Sequence, residues 1–270
     1  MGNFSSDPQE ELRRSRERGY VGLRVEQGVP VLDRDLNLLS DLVTATVREV
    51  LERHLGSGVA DRSEAFAVEA VPQANDLRVL APSGGGTCLV GGVQVSVEEP
   101  FLYSEQLGVP ALTTPAEDDR DDVVYLDVWV DEVDASSDPH LANPADVDMQ
   151  TSVRLRPEWR VRVAEGTAVA PEPAPGHAHC PLAKIQRPRA QAVIAPGCVE
   201  DLRRTGLRLA DLADRVQRLE EALLSSSLGI PGPAAGNGGA PPSGARVVAE
   251  RSSAARNGSR LVAAEGGRTR

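Results

Sequence analysis

The spacing of apolar and polar positions changes period twice near the N-terminus. Asp7-Pro8, with Glu10 beyond them, predicts an N-cap, a first helical position and a capping-box partner for a short helix running to about Arg18. Leu12 is its only large apolar residue, which suits a helix lying on a surface or a neighbour. Tyr20-Val-Gly-Leu-Arg-Val25 predicts a strand, and Gly28-Val-Pro30 the turn leaving it. From Asp33, read as a helix cap, Leu36, Leu39, Val43, Val50 and Leu55 recur close to helical spacing until Gly56 and Gly58, predicting a buried helix.

The period then shortens. Phe66–Val71, Leu77–Leu80 and Cys88–Val97 predict strands, with Gly91-Gly92 as a hairpin turn or a bulge. Leu107 to Asp122, with its acidic run Glu117–Asp122, reads as a solvated loop. The strongest strand is Val123–Val133, with Val124, Leu126, Val128 and Val130 on one face and Tyr125, Asp127, Trp129 and Asp131 on the other. Thr151–Val163 alternates Val153, Leu155, Trp159, Val161 and Val163 with Arg154, Arg156, Arg160 and Arg162, an arginine ladder suited to pair with Asp127 and Asp131. Pro171–Pro175 reads as a linker-like loop, and Pro181–Gln186 and Gln191–Ile194 as short final strands.

At Leu202 the pattern becomes heptad: Leu202, Thr205, Leu209, Leu212, Val216, Leu219 and Leu223 fall at alternating steps of three and four, as in a self-associating coiled coil. Beyond Leu224 the chain turns to Ser, Gly, Pro and Ala, a composition expected to stay disordered, with two faint echoes at Arg246–Glu250 and Arg260–Glu265. The expected fold is therefore α+β: N-terminal helices over residues 1–58, a β-rich body, sandwich or barrel-like, over 59–198, a coiled-coil helix over 199–224 and a disordered tail over 225–270.

Composition narrows the function. Aromatics are only 3%, so the core must be built from Val, Leu and Ala. The net charge of −11 disfavours a nucleic-acid surface, which needs clustered Lys and Arg. Residues 225–270 carry six arginines against Glu250 and Glu265, a net +4 trailing a body of −15. Three cysteines, Cys88, Cys180 and Cys198, have no paired spacing and point to a reducing cytoplasm. The N-terminal residues lack the apolar stretch of a signal peptide or anchor, and no membrane insertion is expected. Lys184 is the only lysine, a bias of GC-rich bacterial genomes.

The candidate chemistry is thin. His177, His179, Cys180 and Cys198 are possible zinc ligands, but their spacing fits no structural zinc pattern, so satisfied loop histidines are the better reading. Asp127 with Asp131, or Asp146 with Asp148, could be imagined as an acid and base pair, but paired acids are expected by chance in a chain with 40 of them. The run Glu117–Asp122 lacks the Gly and the ligand spacing of a calcium loop. Gly84-Gly-Gly86 has no following Lys-Ser or Lys-Thr and reads as a hairpin tip. No catalytic residue, cofactor or metal is expected.

Four ordered blocks carry a resemblance. Gln27-Gly-Val-Pro-Val-Leu-Asp33-Arg-Asp35-Leu-Asn37, then Tyr125–Val133 with Asp138-Pro139, then Trp159-Arg-Val-Arg-Val163 and Pro181-Leu-Ala183, resemble the "QQGRVLLDADWNE", "YLDVWEREVT…DP", "VWQVRV" and "PLA" series. That series belongs to a family of unknown function encoded in phage-tail-like contractile injection loci. Leu36 stands where the family often has Trp, and Asp146–Thr151 matches its "GPDTATR" stretch only loosely. The resemblance implies a baseplate, spike or fibre-base subunit, present in the cytoplasm and assembled into the particle. Its partners would be copies of itself, as a trimer by analogy with tail fibres, and other baseplate or tail subunits. Within the blocks, Gly28, Asp33, Asp35, Asn37, Asp127, Trp129 and Trp159 read as structural: a turn, a helix start and large anchors for a β layer or an interface. Two other readings stay open, a carbohydrate or receptor binder with Trp129 or Trp159 stacking on its ligand, and a cell-wall-cleaving enzyme of the same particle.

Overall fold

Among the described residues, two helices lead into twelve strands. Their order is α1 (Pro8–Glu17), α2 (Asp33–His54), β1 (Gly58–Val59), β2 (Val68–Ala70), β3 (Leu77–Val79), β4 (Gly86–Val90), β5 (Val93–Val97), β6 (Phe101–Leu102), β7 (Arg120–Val133), β8 (Ala142–Asn143), β9 (Met149–Gln150), β10 (Arg154–Ala164), β11 (Ala178–Arg187) and β12 (Val199–Asp201). The structure, a computed structural model, describes residues 4–143, 149–204 and 216–223. Asp146 and Asp148, Leu209 and Leu212 of the heptad series, and the tail with its two echoes lie outside the described residues.

Every strand pairing is antiparallel. The strand orders are β1-β4-β5, β10-β7-β11-β12, β2-β3-β6 and β8-β9, and none closes on itself, so the body is built of facing open sheets rather than a barrel. The three larger sheets share one apolar core. Val59, Cys88, Val90, Val95 and Val97 come from the first, Leu126, Val128, Val161, Leu182 and Ile185 from the second, and Ala70, Leu77 and Val79 from the third. Val124, Leu126 and Val128 of β7 point into it, as the alternation predicts. A register shift between Pro181 and Ala183 lets β11 bury Cys180, Leu182 and Ala183 together, so its apolar run need not alternate.

Gly91 and Gly92 form the two-residue turn between β4 and β5 with φ of 55° and 75°, the doubly left-handed geometry that a twisted hairpin prefers. The bare backbone at Gly92 also lets α2 approach: a Cβ there would lie 2.3 Å from the Arg48 carbonyl oxygen.

Several expectations change. Glu10 does not reach back to the cap: Asp7 Oδ1 accepts the Gln9 and Glu10 amides, while the Glu10 carboxylate holds Arg13 and Arg14. Tyr20–Val25 pairs with no strand among the described residues. Asp33 is not the cap of α2 but its first residue. Leu32 holds the cap position, and its amide donates to Asp35 Oδ2 at 3.3 Å, while Asp33 accepts the Ser5 amide at 2.8 Å.

The acidic run is not a solvated loop throughout, because Arg120 to Asp122 open β7 and Asp122 is buried, gripped at both oxygens by Arg120 and bonded to the Gly166 amide. Gln191–Ile194 is a loop, docked by the Ile194 amide on the Ala74 carbonyl. Leu155 of the expected apolar face is exposed. Val199–Asp201 is a strand and Leu202 is extended, its amide donating to the Leu182 carbonyl, so neither the coiled-coil domain nor the heptad helix begins where the pattern suggests.

Arg187 is 1% exposed and ties three loops through Nη2, to Asn75 Oδ1, Thr113 O and Ala192 O. Its Nε and Nη1 have no hydrogen-bond partner.

Candidate interaction site

The sequence motifs fall on two surfaces. The first is the face of the four-stranded sheet turned away from the core. The registers set Asp127 between Arg160 of β10 and His179 of β11, and Tyr125 between Arg162 and Pro181. Asp127 is 3% exposed, and three groups converge on it. His177 Nδ1 lies 2.6 Å from Oδ1, Arg162 Nε donates to Oδ2 at 2.7 Å, and His179 Nε2 stands 3.4 Å from Oδ1. Burial alone would push this carboxyl up, but the hydrogen bonds from His177 and Arg162 hold it below the usual range.

His179 Nδ1 is satisfied by the Pro171 carbonyl at 2.9 Å. The Trp129 ring stacks on His177 with centroids 5.2 Å apart, and the Arg160 guanidinium sits 5.9 Å from its centroid. Tyr125 leans on His179 at 4.6 Å. This face is a closed hydrogen-bonded array. Among the described residues no cluster of three or more His, Cys, Asp or Glu side chains could hold a metal ion.

The arginine ladder does pair with β7, but the ion pair with Asp127 belongs to Arg162, one step along the diagonal from the directly opposed Arg160. Arg160 is drawn to Trp129 instead. His177 and His179, read as loop histidines, flank the start of β11. The alternation His177, His179 around Ala178 and Cys180 was the available signal for that strand. Trp159 turns toward the core side, edge-on to Phe66 at 5.1 Å and tilted against Phe101 at 5.8 Å. Beside it lies a shallow groove bounded by Phe101, Gln106, Leu107 and Arg160.

The second surface is the N-terminal segment. Gly28, at φ 81°, turns the chain into the Gln27–Asn37 block, and Asn37 is half-buried on the second turn of α2. The expectation of a buried α2 is overturned: its only buried residue is Leu42. Leu36 is 60% exposed, Val43 57% and Val47 52%, with Leu39 and Val50 beside them. The charged side of the helix faces inward. Asp41, Arg48, Glu49 and Glu52 line a cleft with Arg16 of α1 and with Val130 and Leu155 of the sheet. There Arg16 bridges to Glu49 at 2.8 Å, and burial raises the Asp41 carboxyl.

Upstream, Tyr20, Val21, Val25, Val29, Val31 and Leu32 are exposed as well. Single exposed apolar residues are ordinary, but their recurrence from Tyr20 to Val50 makes this segment a candidate contact surface. Of the heptad positions, Val216, Leu219 and Leu223 are exposed on the helical stretch 216–223. No helix among the described residues is long and apolar enough to cross a membrane.

The fold defines an antiparallel β protein with two packed helices ahead of its strands. No protein-family model matches the chain, and no curated protein matches it in sequence. A similar solved structure is the crystal structure of TssK, at a TM-score of 0.33 and 8% identity. The match covers 64% of this chain and 40% of that one, so this chain spans less than half the length of the protein it matches.

Proposed function

We propose that the chain is a structural subunit of a contractile injection system or phage-tail-like particle, a baseplate, spike or fibre-base component that self-associates and docks to neighbouring subunits. The observation that carries this reading is the exposed apolar run from Tyr20 to Val50. It coincides with the Gln27–Asn37 block, the first of the four that resemble the contractile-injection family. A motif whose apolar residues lie outside the chain's own core is explained by contacts with other chains. The array around Asp127, with its carboxylate buried and its neighbours mutually bonded, suits a rigid platform better than a reaction centre.

The test is to purify contractile particles from producing cells and blot them for this chain. The expected result is the chain in the sheath-bearing fraction, and its loss from that fraction on Leu39→Asp with Val47→Asp. Particles that assemble fully and lack the chain would overturn the reading. A second reading, a carbohydrate binder, has the groove beside Trp159 in its favour. Quenching of Trp159 fluorescence by glycans, abolished in Trp159→Leu, would be its signature.

A further inference from the structure

The outward stripe of α2 reads the same from either end. Leu36, Leu39, Val43, Val47 and Val50 follow one another at steps of three, four, four and three, symmetric about Val43. At about 100° per residue these five fall within roughly 80° of arc, with Ser40 and Thr46 on its borders, every Asp, Glu and Arg of the helix outside it and His54 continuing it at the last turn. We propose that α2 pairs with α2 of a second copy of this chain, antiparallel, about a twofold axis passing beside Val43. This deepens the assembly reading above, and rests on it for treating this face as a contact surface.

The register carries the argument. A twofold at Val43 sets Leu36 against Val50 and Leu39 against Val47, and brings Val43 against its own copy. Of the charged side chains that border the stripe, Asp35 and Arg53 lie on the same flank, so Asp35 of each copy comes within about one turn of Arg53 of the other. Asp41, Arg48 and Glu52 point away from the seam, into the cleft described above. The acidic first turn, Asp33 and Asp35, also lies beside the basic last turn, Arg53 and His54, with the two helix dipoles opposed. A parallel pairing would instead gather the acidic first turns at one end and the basic last turns at the other, with the dipoles aligned. An uncharged seam with complementary ends is therefore self-complementary in one orientation only, and the occupant that fits it is a second α2.

The full chain carrying Cys198→Ser, which leaves Cys88 and Cys180 buried, serves as background for single cysteines at Val43, Leu36 and Val50. The expected result is covalent dimers from Val43→Cys on mild oxidation or with a short bismaleimide. A mixture of Leu36→Cys and Val50→Cys should cross-link at least about tenfold faster than either alone. Leu36→Cys linking to itself in preference to Val50→Cys would overturn the orientation. A single-chain mass by light scattering at every concentration, with no Val43→Cys dimer, would overturn the proposal and leave this face to another protein. The two readings fail separately. A chain found in particles without the Val43→Cys link defeats the pairing alone, and the link without the chain in particles defeats the assembly reading alone.

Discussion

Asp127 is the residue on which the outer sheet face depends. Its lowered carboxyl means that the folded state favours the ionised form more than the unfolded chain does. The stability this confers is therefore complete above the unfolded value of about 4 and is lost as pH falls through the depressed one. Asp127→Asn is expected to cost about 2 kcal/mol at neutral pH and to flatten the acid limb of the stability profile, read by urea unfolding across pH. A methyl at Gly92 would collide with the Arg48 backbone, so Gly92→Ala is expected to lower stability by about 2 kcal/mol or more and to loosen α2 from the hairpin, seen as faster amide exchange in that helix. Arg187→Ala removes a buried guanidinium that ties three loops and is expected to cost about 3 kcal/mol by chemical denaturation. Asp127 was legible as a member of an acidic face opposite arginines. Its true partners were not, because which arginine bonds depends on side-chain reach across the diagonal and on Trp129 competing for Arg160. The buried Arg187 left no trace in the sequence, where it looks like any surface arginine between Gln186 and Pro188.

At the scale of elements, period alone found both helices, the Gly-Gly hairpin and the long strand, because each is set by local residues. It misjudged which way α2 faces. Helical spacing reports an apolar stripe without saying whether the chain's own core or another surface receives it. Tyr20–Val25 failed similarly: alternation supplies a face for a strand, but not the neighbouring strand it needs. A measurable consequence separates this helix from a core helix. Leu39→Asp and Val43→Asp are each expected to change the stability of the isolated chain no more than an ordinary surface substitution, about ±0.5 kcal/mol, measured by thermal unfolding. Val128→Asp in the core should abolish folding, by the same thermal scan.

Across the whole molecule, strand order was the least legible property, since the pairings that build the four-stranded sheet and set β1 on β4 join residues far apart in the chain and nothing local encodes the partner. The helical reading of Leu202 onward failed at its first turn for a related reason: residues 199–204 have a better use as an edge of the sheets, with amide and carbonyl groups already spoken for. Net charge also acts at this scale. Copies carrying −11 repel one another, so self-association through an uncharged seam is expected to tighten as salt rises from low to moderate, measured by sedimentation.

The junction between the two ends of the body has a mechanical meaning. Gly58, where a Cβ would lie 2.4 Å from the Arg204 carbonyl oxygen, brings the start of β1 against the last extended residues, and the Val59 amide closes the contact at 2.9 Å. The segment from α2 therefore enters the sheets at the same backbone bond where residues 202–204 leave them. Tension applied beyond Arg204 is borne first by the Arg204 to Val59 and Leu202 to Leu182 hydrogen bonds, then by the pairing of β12 with β11. The end of α2 lies only a few residues before Val59, so the helix and the extended segment 202–204 are anchored at one point on the sheet edge.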